Sequence, residues 1–488
     1  MILDWEAKSF TAYRRLFIAA TSTCYLRENR EPEQRSSKIQ NLKSKMGEVL
    51  IIGGGFAGLA AAVALAGAGR RVRLLEQKPH LGGRARSFLD PATGSVVDNG
   101  QHLFMGCYHA TQRFLREIGT LDRITWQPNL KLHFVEPPGK LTTLDCPNLP
   151  APWHVLAGVL RSDSFRWSEK LEIFRLGRAL SKEAPAADGL ARLSVTEWLT
   201  RLGQPETVQR GFWDLLSIAA LNEDPRRASA ELFRRVLRLA LFTSPEDSRL
   251  GLARQGLSDC YTEAARAYIT ARGGRVEFGR SAEGLIVAEG QCRGVRLAGG
   301  DTIEAESVIS AVPWHEFVEL LPPDLLRTVP YFAGILSLRP APIISISIWL
   351  ERAITRLAFA GLRGTTLQWL FNRGEITGSG EAHYSLVLSG AHEHIARPKE
   401  ELLGVARGEL DQLFPAARGV KVLHALVIKE RFATFSPAVG VDAVRPAART
   451  PIRGLYLAGD WTATGLPATV EGAVQSGYTA AQHVLEAG

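Results

Sequence analysis

Three glycines and one glutamate carry the first chemistry legible in this chain. The spacing Gly53-x-Gly55-x-x-Gly58, with Ala57 inside it, follows the apolar run Val49-Leu50-Ile51-Ile52, and Glu76 closes a second run, Val72-Arg73-Leu74-Leu75. At this spacing the first glycine permits a tight turn, the second lets a pyrophosphate approach the backbone, and the third lets a helix pack closely on its strand. The helix N-terminus then offers N–H groups and partial positive charge to phosphate oxygens. Glu76 stands at the offset from which a carboxylate accepts ribose hydroxyls. In this strand-helix-strand context the motif predicts a dinucleotide site. A coincidental Gly-rich packing turn is the alternative.

Other reactive residue types are scattered. His392 and His394 have no third ligand at metal spacing and are expected at the surface, so no metal site is expected. Cys24, Cys107, Cys146, Cys260 and Cys292 include no C-x-x-C pair, which argues against a disulfide framework or zinc site and fits a reducing, cytoplasmic setting.

The motif needs elements to position it. Val49 to Gly69 is an uncharged run of 21 residues that a hydropathy window would read as a membrane span, but six of its residues are glycine. The soluble strand-helix-strand reading is preferred. Residues 155–245 carry apolar positions at three- and four-residue spacing, as in Trp213 to Leu221 and Leu232 to Phe242, and predict helices. Strands are predicted at 275–278, 284–287, 294–297, 307–312, 343–350 and 383–389, with a hairpin turn at Gly299-Gly300-Asp301.

The chain has 488 residues, with 58 Lys+Arg against 50 Asp+Glu, a formal charge of +8. Residues 1–45 hold nine basic and five acidic groups, so half of the excess lies there. The rest has no dense basic block, and nucleic acid is not an expected partner. The polar segment 1–45 precedes Met46 and is expected to be a disordered extension or a misassigned start.

Two further motifs resemble the glutathione-reductase-like FAD superfamily. Gly82-Gly83-Arg84 follows Glu76, and Gly454-Leu-Tyr-Leu-Ala-Gly459-Asp460 reads as a strand ending in Gly-Asp, with a helix starting near Thr469, Val470 and Ala473. The resemblance implies a Rossmann-type α/β fold holding non-covalent FAD, joined to an α+β substrate domain. It implies an FAD domain assembled from 46–130, 251–315 and 425–488, and a substrate domain from 131–250 and 316–424. Only one G-x-G-x-x-G is present, so NAD(P)H is expected at most as a transient electron donor.

The run Asp98-Asn-Gly100-Gln101-His102 through Gly119, with Gln368 to Arg373, Lys429 to Phe435 and Gly459-Asp-Trp-Thr, resembles the hydroxysqualene dehydroxylase family and, beside it, plant-type phytoene desaturases of the flavin amine oxidase superfamily. The resemblance implies reductive dehydroxylation of a squalene alcohol. An acid protonates the allylic hydroxyl, water leaves, and reduced flavin delivers hydride to the carbon. His102 and Glu430 are the candidate acids; His102 alternatively lines the site, and Glu430 alternatively pairs with Arg431 or Arg373. Gly100 and Gln101 are expected beside the flavin. Other readings are a carotenoid or polyene desaturase or isomerase and, in a different class, a non-catalytic flavin-containing lipid-binding protein. A hydrophobic isoprenoid partner implies peripheral attachment at the inner face of a membrane, with Leu232 to Phe242 either a candidate interfacial helix or an amphipathic helix packed on the core.

Overall fold

Val49-Leu50-Ile51-Ile52 has no polar residue to turn toward water, which is the pattern of a strand covered on both faces. The structure, a computed structural model, buries all four residues and describes residues 47–181 and 189–487. The expectation for 1–45 lies outside the described residues. The strands of the two large sheets are, in chain order, β1 (Val49–Ile52), β2 (Val72–Glu76), β3 (Lys131–Glu136), β4 (Lys140–Asp145), β5 (Arg275–Phe278), β6 (Ser307–Ser310), β7 (Pro340–Leu350), β8 (Phe359–Leu362), β9 (Trp369–Asn372), β10 (His383–Ser389), β11 (Val422–Phe435) and β12 (Leu455–Leu457). The helices used below are α1 (Phe56–Gly67), α2 (His109–Glu117), α3 (Trp153–Arg161), α4 (Trp167–Ser181), α5 (Ala230–Leu241), α6 (Trp314–Leu320), α7 (Lys399–Leu413) and α8 (Val470–Ala487).

The first sheet is parallel throughout, in the order β5-β2-β1-β6-β12. Its strands come from three distant stretches of chain, so it closes only when the stretches meet. The uncharged run from Val49 to Gly69 resolves into β1, a turn and a 12-residue α1, which is buried on nearly every side because α8 covers what the sheet does not. Gly477 of α8 allows that approach: a Cβ there would stand 2.2 Å from the Ala57 carbonyl oxygen.

The second sheet runs β11-β7-β10-β9-β8-β3-β4, antiparallel except where β8 meets β3. Along β7 the side chains alternate as a half-covered strand requires. Ile344, Ile346 and Ile348 pack with Leu402, Ala406 and Leu410 of α7, while Ile343 faces the site cavity. Residues 425–435, expected in the nucleotide-binding part, are instead strand β11 paired with β7. The bulged 14-residue run Val422–Phe435 satisfies its backbone against the 11-residue β7, a longer edge than the short parallel sheet offers. The described residues from Glu48 onward form one compact unit that contains both sheets.

Among the described residues no helix is long and apolar enough to cross a membrane. Of the two readings of Leu232 to Phe242, the structure shows the helix packed on the core. In α5, Leu232, Phe233, Leu237 and Ala240 are all buried and pack on the core, leaving Leu239 as its exposed large apolar side chain.

Candidate functional site

The turn between β1 and α1 is built as the glycine spacing requires. Gly53 adopts φ +103°, and a Cβ on Gly58 would lie 1.9 Å from the Gly53 carbonyl oxygen, so α1 can seat against the turn only with glycine there. A Cβ on Gly55 would meet nothing within 4 Å, because the backbone there faces open cavity. No side chain caps α1 and its first turn holds no acidic residue. Its leading N–H groups are therefore available to an anion. This uncapped cradle fits a dinucleotide pyrophosphate.

Glu76 is buried. Its Oε2 accepts from the Gly54 N–H at 2.8 Å and its Oε1 from the Lys78 N–H at 2.9 Å, which fixes the carboxylate at the end of β2. Gly82 and Gly83 both take positive φ, and Tyr261 donates its hydroxyl to the carbonyls of Gly82 and Ala85 at 3.0 and 2.8 Å. The Tyr261 ring stacks on Phe56 at 3.8 Å, tying this second glycine turn to the start of α1. Tyr261→Phe keeps the stacking and removes both bonds. It is expected to lower the melting midpoint by an amount equivalent to about 1 kcal/mol and to weaken FAD severalfold in a flavin titration.

Arg84 joins the ends of the chain. Its guanidinium donates to Asp460 Oδ1 and to the Ala433 carbonyl, each at 2.7 Å. Burial disfavours the cation, but Asp460, with Glu430 and Glu316 behind it, outweighs burial and holds the Arg84 pKa above its ordinary value. Arg445 donates to the Asp460 carbonyl at 2.9 Å, and Ser476 Oγ accepts the Gly459 N–H at 2.7 Å. Glu471 accepts from the N–H groups of Ala110 and Thr111 and from the Thr111 hydroxyl, so α8 caps α2. The Gly459-Asp460 motif and the His102 segment are thus locked together.

His102 is set by Gly100. Its Nδ1 lies 2.8 Å from the Gly100 carbonyl, which can only accept, so Nδ1 carries the hydrogen and Nε2 remains for a ligand. Burial pulls its pKa below the ordinary imidazole value, and the Gly100 bond and Asp98 only partly oppose this. The expected acid therefore rests neutral. Gln101 spends its amide on Asp98 and Arg373, at 3.3 Å each, and Arg373 lies 3.5 Å from Asp98. Glu430, opposite Ile343 in the sheet, lines the cavity near Arg84, while Arg373 is engaged elsewhere.

One cavity of about 1800 Å³ collects these groups. It exceeds the roughly 300–1,000 Å³ of a typical small-ligand pocket and has room for a dinucleotide and a second large ligand. Gly53, Gly55, Ala57, Glu76, Gly82, Gly83, Arg84, Gly100, Gln101, His102, Glu430, Gly459, Asp460, Thr469, Val470 and Ala473 line it. Gly58 lies behind the lining, where its lack of a side chain serves packing. From the polar end an apolar arm runs between the second sheet and the helices, lined by Leu132, Val159, Ile173, Phe212, Phe233 and Trp369 among others. Cys107 also lines the cavity, and burial pushes its thiol up to about 12, so it is protonated at neutral pH.

Sequence reasoning missed Tyr261, Arg445, Glu471 and the pair His315–Glu316. His315 and Glu316 line the cavity just after the strand predicted at 307–312, so their position in the sequence was a usable signal. Burial lowers the His315 pKa and raises that of Glu316. Nothing local marks Tyr261 or Arg445. Of the paired histidines, His392 is half-buried, with Nε2 3.0 Å from the fully buried Glu223.

Residues 56–485 match the family of flavin containing amine oxidoreductases. The chain is similar to hydroxysqualene dehydroxylase of Rhodopseudomonas palustris, with 32% identity over 456 residues that cover 90% of this chain and 99% of that one. It is 28% identical to the chloroplastic/chromoplastic 15-cis-phytoene desaturase of Arabidopsis thaliana, over 90% of this chain and 80% of the relative. Among solved structures, an oxidoreductase from Methanosarcina mazei shares the fold with a TM-score of 0.70 at 18% identity, covering 90% of this chain and all of the other.

Proposed function

Because the chain belongs to the flavin containing amine oxidoreductase family and is an FAD-dependent oxidoreductase, we propose that it converts hydroxysqualene to squalene, a step of hopanoid and triterpene synthesis. The observation that carries this reading is the continuity of the nucleotide cradle with a long apolar arm in one cavity. A polyene has no polar groups along its length to direct it, so shape and apolar lining must place its oxygenated end. Overall similarity to the dehydroxylase across nearly its whole length supports the same reaction class.

Bound FAD, when reduced, supplies a hydride. The protein supplies the rest. The hydroxyl leaves as water after taking a proton, and the hydride replaces it at the same carbon, so R–OH, H⁺ and H⁻ become R–H and H₂O. In its protonated form His102 would carry the exchangeable proton at Nε2, because Gly100 keeps Nδ1 occupied. Aromatic walls such as Phe212 and Trp369 exclude water from the apolar arm.

The sign of the pH dependence follows from the lowered His102 pKa. A proton is held there only below that value, so turnover by pre-reduced enzyme should rise as pH falls through a midpoint below about 6.5. His102→Gln should flatten the profile and slow turnover by about 10²–10⁴-fold while leaving flavin bound. A rate that increases with pH would assign His102 as a base instead.

The neutral resting state of His102 favours one second reading, desaturation of a polyene, in which a base accepts a proton. Anaerobic incubation decides between them. Dithionite-reduced flavoprotein with hydroxysqualene is expected to give squalene; squalene absent from that mixture, with oxidised enzyme desaturating a polyene when given an electron acceptor, would overturn the dehydroxylase proposal.

A further inference from the structure

The same two helices that line the apolar arm turn large apolar side chains outward. Val155 and Val159 of α3 and Ile173 of α4 face the cavity. On their outer sides, Trp153 is 63% exposed, Trp167 71%, Leu171 60% and Leu160 43%. Isolated exposed hydrophobics are common, but four on two adjoining helices form a patch that a water-facing surface rarely keeps. In α4 the outward stripe Trp167, Leu171, Arg175, Arg178 follows helical spacing, with the apolar residues leading and the cations following. The inward stripe Ile173, Leu176, Leu180 is buried.

The segment that carries the patch has a net charge of +2. Between 153 and 181 stand Arg161, Arg166, Lys170, Arg175 and Arg178 against Asp163, Glu169 and Glu172. Glu172 pairs with Arg175 at 2.6 Å, which leaves Arg161, Arg166, Lys170 and Arg178 against Asp163 and Glu169, the latter accepting from the Thr207 hydroxyl and the Arg166 backbone N–H. Lys170 donates to the Leu160 carbonyl at 2.7 Å and lies 4.8 Å from the Trp167 ring centre, so it ties the two helices together beneath the patch. Amphipathic aromatic rings flanked by arginines suit the boundary between headgroups and acyl chains.

We infer that the outer faces of α3 and α4 seat this protein on an anionic lipid bilayer. The inference rests on the proposed isoprenoid substrate for its purpose: a water-insoluble polyene then passes from the bilayer between these helices into the arm that their inner faces line. The surface itself stands on exposure and charge alone.

The test uses the full-length flavin-loaded protein and flotation with phosphatidylcholine vesicles, with and without phosphatidylglycerol. The wild type is expected to float with the phosphatidylglycerol vesicles and to be released by salt. Trp153→Ser/Trp167→Ser and, separately, Arg175→Glu/Arg178→Glu should each lower partitioning at least about tenfold. Both variants should keep flavin and wild-type turnover on detergent-dispersed substrate, with turnover falling only when substrate is embedded in vesicles. Wild-type flotation by both variants would overturn the inference, as would a wild type that binds neither vesicle. A shift from dimer to monomer in the serine variant, with unchanged flotation, would assign the face to a second copy of this chain and equally overturn it. Because flotation is read without turnover, failure of the proposed reaction leaves a separate result.

Discussion

Gly55→Ala protein is expected to fold normally and to bind FAD at least about 100-fold more weakly, whereas Gly58→Ala is expected to be both unstable and free of flavin; a factor of 100 corresponds to about 2.7 kcal/mol. The contrast comes from what each added methyl meets. At position 55 it enters open cavity and strains nothing in the protein, but occupies the space where the pyrophosphate must approach the backbone. At position 58 it stands 1.9 Å from the Gly53 carbonyl oxygen, so α1 has to lift from β1. Overpacking of this kind costs about 1–3 kcal/mol, and the displaced N–H groups no longer converge on one anion. Thermal melts of the apoproteins and the ratio of flavin to protein absorbance measure the two effects. Full flavin content in Gly55→Ala would place the dinucleotide elsewhere.

Arg84→Ala is expected to lose flavin and to lower the stability of the apoprotein by about 2–3 kcal/mol, the range for leaving a charged hydrogen-bonding group without its partner. Asp460 is buried, and its Oδ1 takes a 2.7 Å bond from Arg84. The same guanidinium bonds the Ala433 carbonyl at the end of β11, so its removal frees the second glycine turn from both the Gly459-Asp460 motif and the second sheet. Arg84→Lys keeps the charge without the planar fork that reaches both partners, and should fall between. Wild-type melting and full flavin occupancy in Arg84→Ala would show that Asp460 is held by other means.

The nucleotide end of the site was readable in the sequence because its demands are local. A tight turn, a close backbone approach and a carboxylate at the end of the next strand each constrain one residue type at one offset. The same holds for Gly82-Gly83-Arg84 and Gly459-Asp460, although what Arg84 does was not visible: its partner lies 376 residues away. His102, a candidate from the sequence, lines the cavity, but its protonation was not legible. That depends on the Gly100 carbonyl and on burial, which no spacing records. The sheet that 425–435 joins was not legible for a related reason, since a strand's own residues do not name the neighbour whose edge it completes.

By itself, then, the sequence determined the glycine turn and the FAD-type motifs near both ends of the described chain, because backbone conformation and close approach act within a few residues. Only the tertiary structure decided where the apolar arm runs, which nitrogen of His102 is left open, and which amphipathic helix is exposed. Periodicity shows that a helix has an apolar face. In α5 that face is spent on the core, while α3 and α4 have enough apolar surface to line the cavity inwardly and still present Trp153 and Trp167 outside.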